Sequence, residues 1–315
     1  MNSSGRREVE HETIVAAPAS AVYGLIADVR QWPEIFPPTV HVDWVERNGQ
    51  EERIRIWATA NGEAKSWTSR RTLDADQRRI EFRQEVSAPP VAAMGGTWLV
   101  EPISPRESRV RLLHDYRAVD DDPASLDWIE RAVDTNSRAE LAALRDSAEQ
   151  AIGDAPGRTL AFEDTMRIDG TAKDVYDFVN EAQFWTERLP HVSWVSLTEP
   201  VPGLQTLAMD TRTKDGSTHR TESVRVCFPN HLIVYKQTTL PALLTLHTGS
   251  WRFVDTESGV IATSRHTVAI DPTKVTDVLG PDADVAQARE FVRTALSANS
   301  RATLGHAREY AESRR

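Results

Sequence analysis

Residues 20–38, SAVYGLIADVRQWPEIFPP, and residues 173–190, KDVYDFVNEAQFWTERLP, are one pattern written twice, with Val22, Tyr23 and Trp32 falling opposite Val175, Tyr176 and Trp185 at an offset of 153. Self-similarity at so long a period marks a duplicated unit, and it decides how the rest of the chain is parsed. The same offset of 153 pairs GTW, ending at Trp98, with GSW, ending at Trp251. Near the end of each half stands an identical tripeptide, Asn136-Ser137-Arg138 and Asn299-Ser300-Arg301, at an offset of 163, so the second half gains about ten residues before its last helix. Two repeats of roughly 150 residues are too long for a solenoid and too few for a propeller.

Within the first unit a strand over 9–16 precedes a helix that begins after Pro18 and stops before Pro33. Six strand-like runs follow at about 40–47, 51–59, 64–73, 78–86, 94–101 and 108–117, separated by turn-rich pieces such as RNGQ, ANGE and DADQ. A long helix over 123–151 closes the unit, and its counterpart is expected over 281–312. The pattern predicts an α+β protein of two tandem domains, 1–152 and 159–315, joined by GDAPGR at 153–158. Each domain is expected to be a bent seven-stranded antiparallel sheet wrapped around its long C-terminal helix, with an interior pocket between the two.

The 315 residues, 40% apolar and 27% charged, are those of a soluble globular protein. The N-terminal segment has no apolar run suited to a signal peptide and no stretch is long enough to span a membrane, so a cytoplasmic protein is expected. The single cysteine, Cys227, excludes an intrachain disulfide and a cysteine-cluster metal site. A net charge of −10 argues against nucleic acid as a partner. Arg70, Arg71, Arg78 and Arg79, with Arg83 beyond, crowd one hairpin, either as a solvated face or as a place to receive an acidic partner. No nucleotide loop, HExxH helix, G-x-S-x-G elbow or metal-ligand cluster is present, so neither cofactor nor metal is expected.

One strand raises the question of a site. In AKSWTSRRT, 64–72, Trp67, Ser69, Arg71 and Leu73 share one face while Ser66, Thr68, Arg70 and Thr72 share the other. The second face suits water, so the first should point inward, carrying a permanent cation. An inward guanidinium needs a partner, water or a polar ligand; the strand alone equally allows a bulge that turns Arg71 to the surface. On the last helix Ile129, Val133, Leu141, Leu144 and Ala148 follow helical spacing, with Asn136 at the edge of the stripe and Asn299 in the matching place. On the last strand Val110, Leu112, His114 and Tyr116 share a face, and His266 sits similarly in the second half. His114 is the titratable candidate, against the plain reading of a satisfied core histidine.

The tandem copies with QWPEIFPP, SWTSRRT, GGTW and TNSR resemble the two-domain aromatase/cyclases of bacterial type II polyketide synthases, within the helix-grip fold of the START and plant-allergen superfamily. The resemblance implies an enzyme that takes a poly-β-keto chain, tethered to an acyl carrier protein, into a buried pocket and guides first-ring closure and dehydration. It implies an essential arginine at Arg71, a serine at Ser69, an asparagine at Asn136, and a cavity wall of Trp32, Phe36, Trp67 and Trp98. Thr39 falls near the place where single-domain relatives carry a pocket tyrosine. The implied partners are the carrier protein and other synthase subunits, with a homodimer left open, and two-domain members are associated with chains already reduced at C9.

Arg71 suits the holding of a carbonyl or enolate oxygen through its forked donors, and Ser69 and Asn136 suit the orienting of a hydroxyl or water. In the second half STHRTESV, 217–224, is expected to match this strand, with Ser223 or Thr221 replacing the inward arginine. The first domain is therefore the expected main chamber, while His219, Arg220 and Glu222 leave a second pocket open. The rival class is a non-catalytic carrier of a hydrophobic ligand, against which the polar residues Arg71, Ser69 and Asn136 count.

Overall fold

The computed structural model describes residues 6–60, 62–152, 157–212 and 218–314. The expected linker falls largely outside them, at 153–156. The chain divides into two compact units. The first contains β1 (Arg7–Val15), α1 (Ala19–Ala27), α2 (Trp32–Ile35), β2 (Thr39–Asn48), β3 (Glu51–Ala60), β4 (Glu63–Asp74), β5 (Arg79–Gln84), β6 (Val91–Ser104), β7 (Glu107–Ala118) and α3 (Pro123–Ile152). The second contains β8 (Thr159–Ile168), α4 (Ala172–Asn180), α5 (Trp185–Arg188), β9 (Val192–Val201), β10 (Leu204–Arg212), β11 (Thr218–Phe228), β12 (Leu232–Thr239), β13 (Leu244–Thr256), β14 (Gly259–Ile270), α6 (Val275–Leu279) and α7 (Val285–Glu312).

Each group of seven strands forms one antiparallel sheet, ordered β1-β7-β6-β5-β4-β3-β2 in the first unit and β8-β14-β13-β12-β11-β10-β9 in the second. Consecutive strands pair through hairpins, and the first strand closes onto the last. One face of each sheet is apolar and meets the long helix. In the first unit Val15, Val22, Ile26, Ile80, Trp98, Val110 and Leu112 pack against Leu141 and Leu144 of α3. In the second Val175, Phe178, Ile233 and Phe253 pack against Leu304 and Ala307 of α7. Cys227 is a buried member of that second core.

Two boundaries differ from expectation for local reasons. The helix expected to reach Pro33 ends at Ala27, because Asp28 turns extended and its carboxylate accepts from the Arg30 amide to start a separate turn. Pro33 then sits in the first turn of α2, where a missing N–H leaves no bond unmade. The last helix starts at Val285, where Asp284 and Gln287 form a reciprocal capping box that satisfies two otherwise orphaned amides. The residues gained by the second half form α6, just before that cap.

Candidate functional sites

β4 keeps its register. Ser69 and Arg71 are buried, at 3% and 2% exposure, while Arg70 and Thr72 are exposed, so the bulge alternative does not occur. Arg71 finds its partners at a helix end. The last carbonyls of α1 have no intrahelical donor, and the negative end of the helix dipole favours a cation there. One terminal nitrogen of Arg71 donates to the carbonyls of Ile26 and Ala27, at 3.0 and 3.3 Å. The other lies 3.4 Å from a carboxylate oxygen of buried Glu52 without completing a hydrogen bond. The guanidinium stands 5.0 Å from the centre of the Trp32 ring, whose indole N–H donates to the Ile26 carbonyl at 3.1 Å.

Trp32, Phe36 and Trp98 form one aromatic group, with ring centroids 5.5 Å apart for Trp32 and Phe36 and 6.3 Å for Phe36 and Trp98. Trp67 packs nearby with Trp32 and Trp44 against Val29, Ile54 and Ile56. Thr39 is buried at the start of β2. The Ser69 hydroxyl donates to the Arg83 carbonyl across the strand pair, at 3.1 Å.

Cross-strand pairing places Arg71, Phe82, Gly96 and His114 in one row across β4, β5, β6 and β7. Phe82, Gly96 and His114 lie on the same inward face as buried Arg71, yet they are only half-buried. Their partial exposure leaves Phe82 and His114 accessible on this face, with the Phe82 ring lying over Gly96, where an added Cβ would come within 2.6 Å of it. The Nδ1 of His114 is 3.4 Å from the hydroxyl of Ser137 on α3, and burial, with the nearby His11, pulls the imidazole down to about 4.

The helix partner of His114 is thus Ser137, the central residue of the repeated tripeptide, while Asn136 is exposed. Asp134 and Arg138 lie on the flank of α3 that faces β1, where Asp134 accepts from the His11 ring. Helical spacing puts Asn136 on the opposite flank, one turn before Glu140. Glu140 was not singled out from the sequence, and burial pushes its carboxyl up to about 7. A surface groove of about 800 Å³ between β1 and α3 is lined by His11, Asp134 and Arg138, and none of the expected site residues borders it.

The second unit retains the arginine that the expected alignment removed. Arg225, not Ser223 or Thr221, takes the inward place, and Ser223-Val224-Arg225 matches Ser69-Arg70-Arg71 at an offset of 154. Arg225 donates to the Val179 carbonyl of α4 at 2.7 Å and stands 5.5 Å from the Trp185 ring, repeating the first anchor. The neutral Gln205 lies where the first unit has Glu52, and it is held by Asn180 and Glu199. Arg220, with its guanidinium on Asp210 at 2.8 Å, and Glu222 are exposed on the outer face and do not enter the chamber. Of the basic hairpin, Arg70, Arg79 and Arg83 pair with Glu85, Glu81 and Asp115 at 2.9, 2.6 and 2.6 Å, so its surface charge is largely matched.

These features define a class: tandem helix-grip domains, each with a polar row facing the inner side of its sheet. Residues 6–149 match the family described as polyketide cyclase / dehydrase and lipid transport. The chain is 53% identical over 299 residues to a granaticin polyketide synthase bifunctional cyclase/dehydratase of Streptomyces virginiae, covering 94% of this chain and 97% of that one. It is 46% identical over 319 residues to the actinorhodin polyketide synthase bifunctional cyclase/dehydratase of Streptomyces coelicolor, covering 98% of each. Among solved structures, the di-domain ARO/CYC BexL from the BE-7585A pathway superposes with a TM-score of 0.90 at 65% identity, over 97% of this chain and 99% of that one. StfQ, from the steffimycin pathway, gives 0.87 at 35% identity over the same shares. The chain belongs to the family of two-domain polyketide aromatase/cyclases.

Proposed function

We propose that this protein closes and dehydrates the first ring of a carrier-bound poly-β-ketone, and that its preferred chain is one already reduced at C9. Cyclisation and dehydration are the activities named for relatives that match this chain over nearly its full length. The observation that carries the reading is the inward row of Arg71, Phe82, Gly96 and His114 beside the Trp32, Phe36 and Trp98 group. Aromatic walls with few rotamers hold one fold of the flexible chain and exclude others. Arg71 keeps those walls in place through α1 and Trp32, and its second terminal nitrogen lies buried against Glu52, so its part is to hold the wall and to set the positive charge behind it. Ser69 and Thr39 are wall residues in this reading, and Asn136 contributes from the helix flank.

Ring closure and loss of water both move protons at near-neutral pH. His114, in the inward row and against Ser137, is the group placed for that task, and Glu140, one helical turn after Ser137 and raised to about 7, is the second. In a synthase reconstituted with and without its ketoreductase, the native protein should give the aromatised ring most fully with the reductase present. Glu140→Gln should lower the yield of aromatised product about 10²-fold or more and raise shunt products. A variant that aromatises at the native rate removes Glu140 from the chemistry, and equal yields without the reductase remove the preference for a reduced chain.

The carrier protein is proposed to dock near Arg70, Arg78 and Arg79, where the exposed ion pairs of Arg70 and Arg79 are weak enough to exchange for an acidic partner. Reversing Arg70 and Arg79 together should slow transfer, and the defect should shrink as salt rises. Native rates at low salt rule this face out.

A further inference from the structure

The row in the first unit, which ends at Val9 on β1, has a counterpart with three exchanges, two that bring in polar groups and Phe162 for Val9. Arg225, Tyr235, Gly249, His266 and Phe162 run side by side across β11, β12, β13, β14 and β8. Tyr235 stands where the first unit has Phe82, and His247, on β13, stands where it has Met94. Glycine makes the first exchange effective. A Cβ on Gly249 would lie 2.5 Å from the Tyr235 hydroxyl, so only the bare backbone lets the ring lie across it.

The phenol thereby reaches the Nδ1 of His266 at 2.9 Å, while the Nε2 of His247 reaches the same atom at 3.0 Å. On the far side, the Nε2 of His266 is 2.7 Å from the Ser300 hydroxyl and 3.3 Å from that of Ser264. With the proton of His266 on Nε2, its Nδ1 offers one lone pair to the Tyr235 hydroxyl, and the Nε2 of His247, 3.4 Å from that hydroxyl, lies within reach of both atoms. The phenol can therefore pass its proton to whichever of these ring nitrogens is unprotonated. The Nδ1 of His247, a side chain only 3% exposed, has no partner among the described residues. His247, His266, Ser264 and Ser300 are all buried; Tyr235 is the half-buried member, where a ligand can meet the network. Of the charged groups beside it, Asp164 is bound to Arg301 at 2.7 Å and Arg225 donates to the Val179 carbonyl at 2.7 Å, and the network itself is built of neutral groups, which suits an uncharged oxygen.

We propose that the second unit holds a proton-relay site of its own, in which Tyr235, backed by His266, His247 and Ser300, binds a neutral β-hydroxy ketone and catalyses its loss of water. This rests on the cyclase/dehydratase reading above and assigns one of its steps to the second unit. Tyr235 takes the proton from the carbon between carbonyl and carbinol as it passes its own to Nδ1 of His266. The C–H electron pair becomes the new C=C bond while the C–O bond breaks. The proton returns from His266 through Tyr235 to the departing hydroxide, which leaves as water, and the enzyme is restored. Burial holds His266 down at about 4, so its imidazolium gives the proton back readily.

The test uses the full chain in a reconstituted synthase, following both the closed, undehydrated ring and the aromatic product. Tyr235→Phe installs the first unit's own residue and keeps the ring, so the fold should survive, as an unchanged thermal midpoint would verify. It should accumulate the closed ring with water loss slowed about 10²-fold or more and closure unaffected. His266→Gln should give the same accumulation and should also flatten the pH dependence of water loss, which a merely structural contact would not. Native rates of dehydration in both variants overturn the relay, as does an equal slowing of closure and dehydration in Tyr235→Phe with the midpoint unchanged. If instead the native protein yields no aromatic product, the cyclase/dehydratase reading itself has failed and the relay with it.

Discussion

Lowering the pH from about 6.5 to 4.5 is expected to destabilise the native protein by on the order of 2 kcal/mol per pH unit. Burial pulls His114 and His266 down to about 4 and His247 to about 3, the last also through the charge of His266. The unfolded chain takes up these protons first as pH falls below the ordinary histidine value, so each histidine withdraws stability, by about 1 kcal/mol per unit, until its own folded value is reached. Glu140 works in the opposite sense. Its carboxyl, raised to about 7, is protonated first in the native state, so acid relieves the cost of its burial over the same window. Three large losses against one gain leave a net loss, and burial lowers His41 and His191 in the same direction. The neighbouring charges are Asp115 and His11 at His114, and Asp164, held by Arg301, at His266. Denaturant midpoints at pH 7 and pH 4.5 provide the check, and equal midpoints would mean that these imidazoles are not buried as described.

Replacing Arg71 with methionine is expected to cost about 3–5 kcal/mol, the range for removing one member of a buried ion pair. Glu52, 4% exposed, would keep only the solvent-facing Arg47, at 3.1 Å. The carbonyls of Ile26 and Ala27 would lose their donor as well. The pair Arg71→Met with Glu52→Gln should recover part of the loss, because no charge is then left buried. The remainder, about 1–3 kcal/mol, is the cost of the unsatisfied carbonyls. A single-variant loss below about 1 kcal/mol would show that the arginine is not the fastener of α1. Loss of product in an Arg71 variant therefore bears on chemistry only when the folded fraction has been measured alongside.

Most of the fold was legible because duplication checks each half against the other. The period of two in β4 offered Arg71 and Ser69 as the inward face from nine residues, with a surface bulge as the equal alternative until the burial of the strand decided it. The constant offset located the second sheet, and its break located α6. The chamber was less legible. Asn136 drew attention as the polar residue of an apolar stripe, but the side chain that meets His114 is Ser137, which looks like an ordinary small helix residue until a partner strand is placed against it. Glu140 is hidden for the same reason, since a carboxylate in a helix is solvated until surrounding elements remove the water. Arg225 was missed through alignment on the neighbouring Thr and His residues; the repeated Ser-x-Arg in SRR and SVR was the usable signal. Tyr235 and His247 needed the cross-strand register, which no single strand carries.

The glycine at the centre of each row bears on how the two halves grew apart. At Gly96, as at Gly249, an added methyl would strike the facing aromatic ring and the carbonyl across the strand, so the space above the backbone is cleared in both copies. Phenylalanine and tyrosine codons differ by a single base. The two halves therefore stand one nucleotide apart at this position, and the ring fits the same cleared space in both. Once copied, each half could settle the presence of that phenol separately.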